Sequence, residues 1–369
     1  MQANHTSRVY YSISELPRIL AESNSELQLY ILTGKSSFND SPGRSCLNEM
    51  IFLTGAPFFF YTPSGLLPSK LDYDEFIYNY RDSLSDNSKR PILIAIGGGR
   101  IIDASKIICF YLNKNYNIRV QIIAIPTTAG SGSEATSFAV CWSNGTKYSI
   151  NHPYLKPTDV ILDCNLLARM PSEQVAISGL DTICQSIESY LNMNNTHVSD
   201  SYSLASLESS FELLPLIVSS PRADLISQMQ YNSYISGMAI NITKTSLPHA
   251  YSYHLTSNYN IPHGHAVGLC MANYLNEFSK LITACSPLTK PFEEKFERII
   301  SILSCNAKDV KRAWIEYMYR VNLAPFINDL ITLQDLNSLK EQFDPLRLQN
   351  SPFNDKNHNM PEIYCRKSE

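Results

Sequence analysis

The sequence has no CxxC pair, and its 9 cysteines among 369 residues are too sparse for a disulfide scaffold. Free thiols in a reducing, cytoplasmic setting are the expectation. Charge is also scarce. Charged residues make up 17% of the chain, below the ~25% of an average domain, which excludes a solvated, disordered polymer. No basic excess exists. A net charge of −4 argues against a general nucleic-acid partner, while leaving room for a local basic pocket. Long hydrophobic runs are missing as well. The longest, residues 91–96 and 121–125, stop at Gly97 and Pro126, far short of the ~20 residues of a membrane span. Residues 1–12 are polar and lack the apolar core of a secretory signal. There is no internal repeat.

What is present falls into two halves. Up to about residue 165, short apolar runs alternate with helix-spaced segments. The runs are 27–33, 56–61, 92–96 and 122–125, and helices are predicted at 73–84 and 101–112. Runs this apolar suit strands buried on both faces of a parallel sheet, so this half reads as an α/β domain. After residue 165 the pattern becomes helical, near 172–192, 199–218, 222–242, 265–282, 291–305, 308–321 and 335–342. The expectation is an α/β domain over 1–165 and a helical domain over 166–369.

Three segments carry chemistry. The first, ILIAIGGGRIIDASK, runs from a strand through Gly97, Gly98 and Gly99 into a helix. Glycines permit close approach and positive φ, and the helix start offers N–H groups to a phosphate. It is neither GxGxxG nor a Walker motif. Asp103 and Lys106 lie one turn apart, the spacing of an ordinary surface pair. The second, AIPTTAGSGSEA, again ends a strand in a polar turn with Thr127, Thr128 and Ser133. Two such loops at strand ends fall where open α/β sheets bind ligands. The third lies in the helical half. Asp181 and Gln185 share a helix face, and His249, His254, His263 and His265 follow. A carboxylate and two imidazoles can hold a divalent cation with positions left open.

In wording, order and spacing these segments resemble the iron-containing (group III) alcohol dehydrogenase family, over about residues 9–364. The resemblance implies a dinucleotide-binding α/β domain, an all-helical domain, and a metal in the cleft between them. It also implies a homodimer. The metal set would be Asp181, Gln185, His249 and His263, with Gln185 where the family carries a histidine. Tyr253 stands in place of a further family histidine, and Arg100 replaces a serine. The glutamine is shared with one branch, the phosphonoacetaldehyde reductases, which EATSFAV, KYSINHPYLKPTDVILD and RLQNSPF also resemble.

The implied reaction is hydride transfer from a nicotinamide to an aldehyde, here phosphonoacetaldehyde going to 2-hydroxyethylphosphonate. Fe²⁺ or Zn²⁺ would polarise the carbonyl, with Asp181, His249 and His263 acting through it. Gly97, Gly98 and Gly99 would take the pyrophosphate, Thr127, Thr128 and Ser133 the phosphate or ribose, and Asp103 a secondary positioning role. In the first βα turn, NAD-preferring relatives carry an Asp. This chain has Gly34, Lys35, Ser36 and Ser37, which predicts NADPH in preference to NADH. A phosphonate needs cationic partners, and Lys147, His152, Lys244 and His254 are the candidates. Competing readings are a general aldehyde or 1,2-diol dehydrogenase, a lyase of dehydroquinate synthase type, and a nucleotide-binding protein with a decayed metal site.

Overall fold

A computed structural model describes residues 6–22, 26–34, 48–49, 52, 55–65, 67–84, 88–143, 146–327, 330 and 349–353. It divides into two compact units. The first joins Met1–Met170 with Arg222–Gly237, and the second joins Pro171–Pro221 with Met238–Glu369.

The first unit is built on a parallel sheet of six strands. In chain order the strands are β1 (Arg8–Tyr10), β2 (Leu27–Thr33), β3 (Phe58–Tyr61), β4 (Arg90–Gly97), β5 (Gln121–Pro126) and, after a hairpin, β8 (Asp159–Ile161). Their spatial order is β1-β8-β5-β4-β2-β3. Residues 28–33 of β2 and 92–97 of β4 are buried without alternation, as strands covered on both faces must be. Helices α1 (Leu16–Ala21), α2 (Lys70–Leu84) and α3 (Gly99–Tyr116) connect them. Strands β6 (Phe138–Ser143) and β7 (Thr146–Asn151) pair antiparallel as a separate hairpin. The chain leaves β2 toward β3 on one side and returns to β4 on the other. That reversal opens a crevice at the carboxyl ends of the strands, where α/β sheets bind ligands.

The second unit is helical. It holds α4 (Ser172–Tyr190), α5 (His197–Ser219), the end of α6 (Ala223–Thr243), α7 (Leu247–Tyr259), α8 (His263–Thr283), α9 (Glu293–Ile302) and α10 (Val310–Arg320). Gly179 of α4 lies so close to α5 that a Cβ there would sit 2.3 Å from Leu214. Trp314 and Tyr317 of α10 are fully buried.

The α/β and helical halves are as expected from sequence. The boundary between them is more complex than a single break near residue 165. The units divide at Met170, and residues 222–237 return to the first. Within that unit Gln230 donates to the Pro126 carbonyl at 3.1 Å, and Gly237 packs against Gly132. The helix expected at 335–342 lies outside the described residues. Among those residues no helix is long and apolar enough to cross a membrane.

Candidate metal centre and nucleotide cradle

In the first unit, the register of the sheet brings three loop starts side by side. Thr33 pairs with Ile96, and Gly97 pairs with Pro126, so Gly34, the glycine run and Thr127 leave neighbouring strands at the same edge. Thr127 donates its N–H to the Gly97 carbonyl at 3.1 Å. None of Gly97, Gly98 and Gly99 has a positive φ. Their requirement is space. A Cβ at Gly97 would lie 2.6 Å from Ile101, at Gly98 3.2 Å from Thr128, and at Gly99 2.5 Å from Ser131. The left-handed residue is instead Gly132, with φ +59.

Beneath this cradle lies a buried polar network. Asp103 and Lys106 of α3 are 8% and 0% exposed, so the surface pair suggested by their spacing is an interior one. Ser133 donates its hydroxyl to Asp103 at 2.5 Å, and the Val140 N–H donates to the other carboxylate oxygen at 3.0 Å. Lys106 Nζ donates to the carbonyls of Ser133 and Phe138 at 2.5 and 2.9 Å, and to Thr136 Oγ1 at 2.8 Å. Burial raises the Asp103 pKa, with Lys106 opposing. The network ties the loop after β5 to the helix after β4. Thr128 is half-buried, and Thr127 Oγ1 is buried with no hydrogen-bond partner among the described residues. Arg100 closes the other side, donating to the Gly65 carbonyl and pairing with Asp72 at 2.7 Å. Gly34 is half-buried at the end of β2, whereas Lys35 and Ser36 lie outside the described residues.

In the second unit, Asp181, His249 and His263 each offer a ligand atom within 4.8 Å of the others. Asp181 and Gln185 are buried on one face of α4. Gly264 brings α8 onto α4, since a Cβ there would stand 2.1 Å from the Ile177 carbonyl and 3.0 Å from Asp181 Cβ. That contact delivers His263, the first residue of α8, to the cluster. The His249 and His263 rings are 5.2 Å apart, and Tyr253 stacks on His263 at 5.7 Å. Asp181 Oδ1 is buried without a hydrogen bond among the described residues, 3.3 Å from His249 Nε2. A cation would satisfy this orphaned oxygen, and the oxygen and nitrogen donors suit Fe²⁺ or Zn²⁺ alike.

One residue here has no counterpart among the site residues expected from sequence. Glu188, two turns beyond Asp181 on α4, is 0% exposed. Its Oε1 accepts from Ser246 N–H at 2.8 Å, Ser246 Oγ at 3.1 Å and His249 N–H at 3.3 Å. Its Oε2 contacts His249 Nδ1. Burial opposes the imidazolium, but the Glu188 and Asp181 carboxylates outweigh it and raise the His249 pKa. The i, i+7 spacing from Asp181 is the signal that would have found Glu188.

The residues expected at a phosphonate fall in both units. Lys147 is half-buried on β7, and the His152 ring lies tilted against Tyr154 with centroids 3.9 Å apart while its Nδ1 accepts from the Tyr154 N–H. Lys244 has φ +63 at the end of α6 and donates Nζ to the Asn241 carbonyl at 3.1 Å. His254 faces Asn258, whose Nδ2 lies 2.9 Å from its Nδ1, and burial lowers its pKa.

A model of iron-containing alcohol dehydrogenases matches residues 11–164, and one of the C-terminal region of that family matches residues 175–352. The chain belongs to the iron-containing alcohol dehydrogenase family. It is 28% identical over 229 residues to a 1-propanol dehydrogenase of Citrobacter freundii, covering 60% of each chain. It is 30% identical over 209 residues to a phosphonoacetaldehyde reductase of Streptomyces viridochromogenes, covering 51% of this chain and 53% of that one. The chain thus spans about half the length of the curated relatives it matches. The fold extends further. The iron-containing alcohol dehydrogenase of Thermococcus thioreducens superposes with a TM-score of 0.82 over 97% of both chains, at 23% identity.

Proposed function

We propose that the protein is a metal-dependent, NAD(P)H-linked aldehyde reductase whose substrate is phosphonoacetaldehyde. The observation that carries the reduction chemistry is the buried Asp181–His249–His263 cluster with its orphaned carboxylate oxygen. When bound, a divalent cation supplies Lewis acidity toward a carbonyl and the nicotinamide supplies the hydride. Asp181, Gln185, His249 and His263 would hold the cation. Gly97, Gly98 and Gly99 leave room for the pyrophosphate beside the N-terminus of α3, and Thr127 and Thr128 offer hydroxyls at the same sheet edge.

The substrate rests on Gln185 and on the 30% identity to the phosphonoacetaldehyde reductase. Lys147 and Lys244 are the cationic candidates for the phosphonate, since His254 is engaged with Asn258 and burial disfavours its charged form. The same reading takes NADPH as the preferred cofactor and a cytoplasmic homodimer as the working form.

The test is oxidation of NADPH and of NADH with phosphonoacetaldehyde and with a panel of neutral aldehydes. The expectation is a higher kcat/KM for the phosphonate and for NADPH, and a raised phosphonate KM in Lys147→Ala or Lys244→Ala with neutral aldehydes spared. Equal activity on propanal would favour the second reading, a general dehydrogenase, which the likeness to 1-propanol dehydrogenase supports. Size-exclusion chromatography with light scattering checks the dimer.

A further inference from the structure

We propose that Glu188 is a positioning residue that sets the tautomer of His249 and thereby makes it a metal ligand. This inference rests on the metal reading of the Asp181–His249–His263 cluster and goes beyond its ligand set.

The geometry leaves Glu188 one arrangement. Three donors converge on Oε1, the Ser246 N–H, the Ser246 hydroxyl and the His249 N–H. That oxygen therefore caps the first turn of α7, whose N-cap residue Ser246 makes no cap with its own side chain. The remaining oxygen, Oε2, meets His249 Nδ1. A carboxylate only accepts, so Nδ1 must carry the ring proton. Nε2 is then left with a bare lone pair, and it is Nε2 that lies 3.3 Å from Asp181 Oδ1 within the ligand cluster. One buried side chain thus fixes the start of α7, the rotation of the imidazole and the nitrogen that can bind a cation. With a neutral amide at Gln185, the Glu188 carboxylate also places a negative charge directly behind a ligand.

The discriminating variant is Glu188→Gln, which keeps the shape and reverses the hydrogen bond. Its carbonyl oxygen takes the three donors now on Oε1, so its NH₂ faces His249 Nδ1 as a donor. Nδ1 must then accept, the proton moves to Nε2, and the nitrogen facing the cluster can no longer ligate.

The experiment is Zn²⁺ affinity of the metal-free full-length protein, by chelator competition, with melting of the metal-free form as the folding readout. Wild type, E188Q, Glu188→Asp and Asp181→Ala are compared. The expected result is an E188Q that melts close to wild type yet binds Zn²⁺ about 10–100-fold more weakly. A role confined to capping α7 would leave Zn²⁺ affinity unchanged in this isosteric variant. A folded E188Q binding within twofold of wild type overturns the proposal. Should E188Q not fold, E188D decides. Its shortened carboxylate cannot serve both Ser246 and Nδ1, so at least tenfold weaker binding supports the proposal and wild-type affinity overturns it. Failure of the underlying metal reading looks different: wild type and D181A would then bind Zn²⁺ equally.

Discussion

Glu134 sits where a carboxylate cannot easily keep its charge. It is 2% exposed, and its Oε1 has no hydrogen-bond partner among the described residues. Burial raises its pKa from 4.5 to about 7. The folded chain therefore holds a proton that the unfolded chain releases. The stability this provides is complete below about pH 4.5 and is lost as pH rises toward 7. The full swing is roughly 3 kcal/mol. Glu134→Gln removes the titration, so its stability relative to wild type should improve by roughly 2–3 kcal/mol between pH 5 and pH 8. Urea melts at the two pH values measure this, and an unchanged difference would mean that Glu134 is ionised in the folded protein. Lys106 was harder to read from sequence. Its spacing from Asp103 matches a surface pair, and only the loop folded over α3 makes both interior. Lys106→Met should cost about 3–5 kcal/mol, because it removes the buried ammonium bonded to Ser133, Thr136 and Phe138 and takes away the nearest charge opposing Asp103. A urea midpoint close to wild type would place Nζ outside this network.

Secondary structure was legible wherever a pattern had room to repeat. Strand β2 occupies the whole of its predicted run, and the helices α3, α4 and α8 follow the 3.6-residue spacing. Strands β1 and β8 have three residues each, too few for any period, and exist because parallel neighbours hold them. Helix α7 buries residues 247–255 without a break, polar His249, Ser252 and His254 among them, so it shows no apolar stripe to read. That helix carries His249, which is why the histidines were visible as residues before their arrangement was. The meeting of α8 with α4 is likewise tertiary, and it makes a sharp contrast testable. A Cβ at Gly264 meets the Ile177 backbone carbonyl at 2.1 Å, whereas a Cβ at Gly268 meets the tip of Leu180 at 2.3 Å. A side-chain tip can turn away and a helix backbone cannot. Gly264→Ala should shift His263 and weaken Zn²⁺ binding by roughly tenfold or more, while Gly268→Ala stays near wild type. Chelator competition on both variants checks this, and equal affinities would show that α8 adjusts without moving His263.

At the scale of the whole molecule, the composition break near residue 165 marks a change of class but not the limit of a folding unit. The first unit needs Arg222–Gly237 as well. This segment carries the buried side chains Ile226, Met229, Tyr234 and Ile235. Its Gln230 satisfies the Pro126 carbonyl at the end of a central strand. A Cβ at Gly237 would lie 2.3 Å from the Gly132 carbonyl, in the loop that Lys106 and Asp103 anchor from below. No local signal in 222–242 distinguishes a helix of one unit from a helix shared by two, because amphipathic spacing says that a face is buried and not what covers it. A fragment of residues 1–165 would lose the Gln230 donor to the Pro126 carbonyl and the close approach of Gly237 to Gly132. Such a fragment should melt without a cooperative transition, and a chain in which residues 222–237 are fused back after residue 170 through a flexible linker should regain one. Circular dichroism melts of the two proteins compare them. A sharp transition in residues 1–165 alone would show that the sheet and its three helices suffice, and that the returning segment is an addition to a unit already complete.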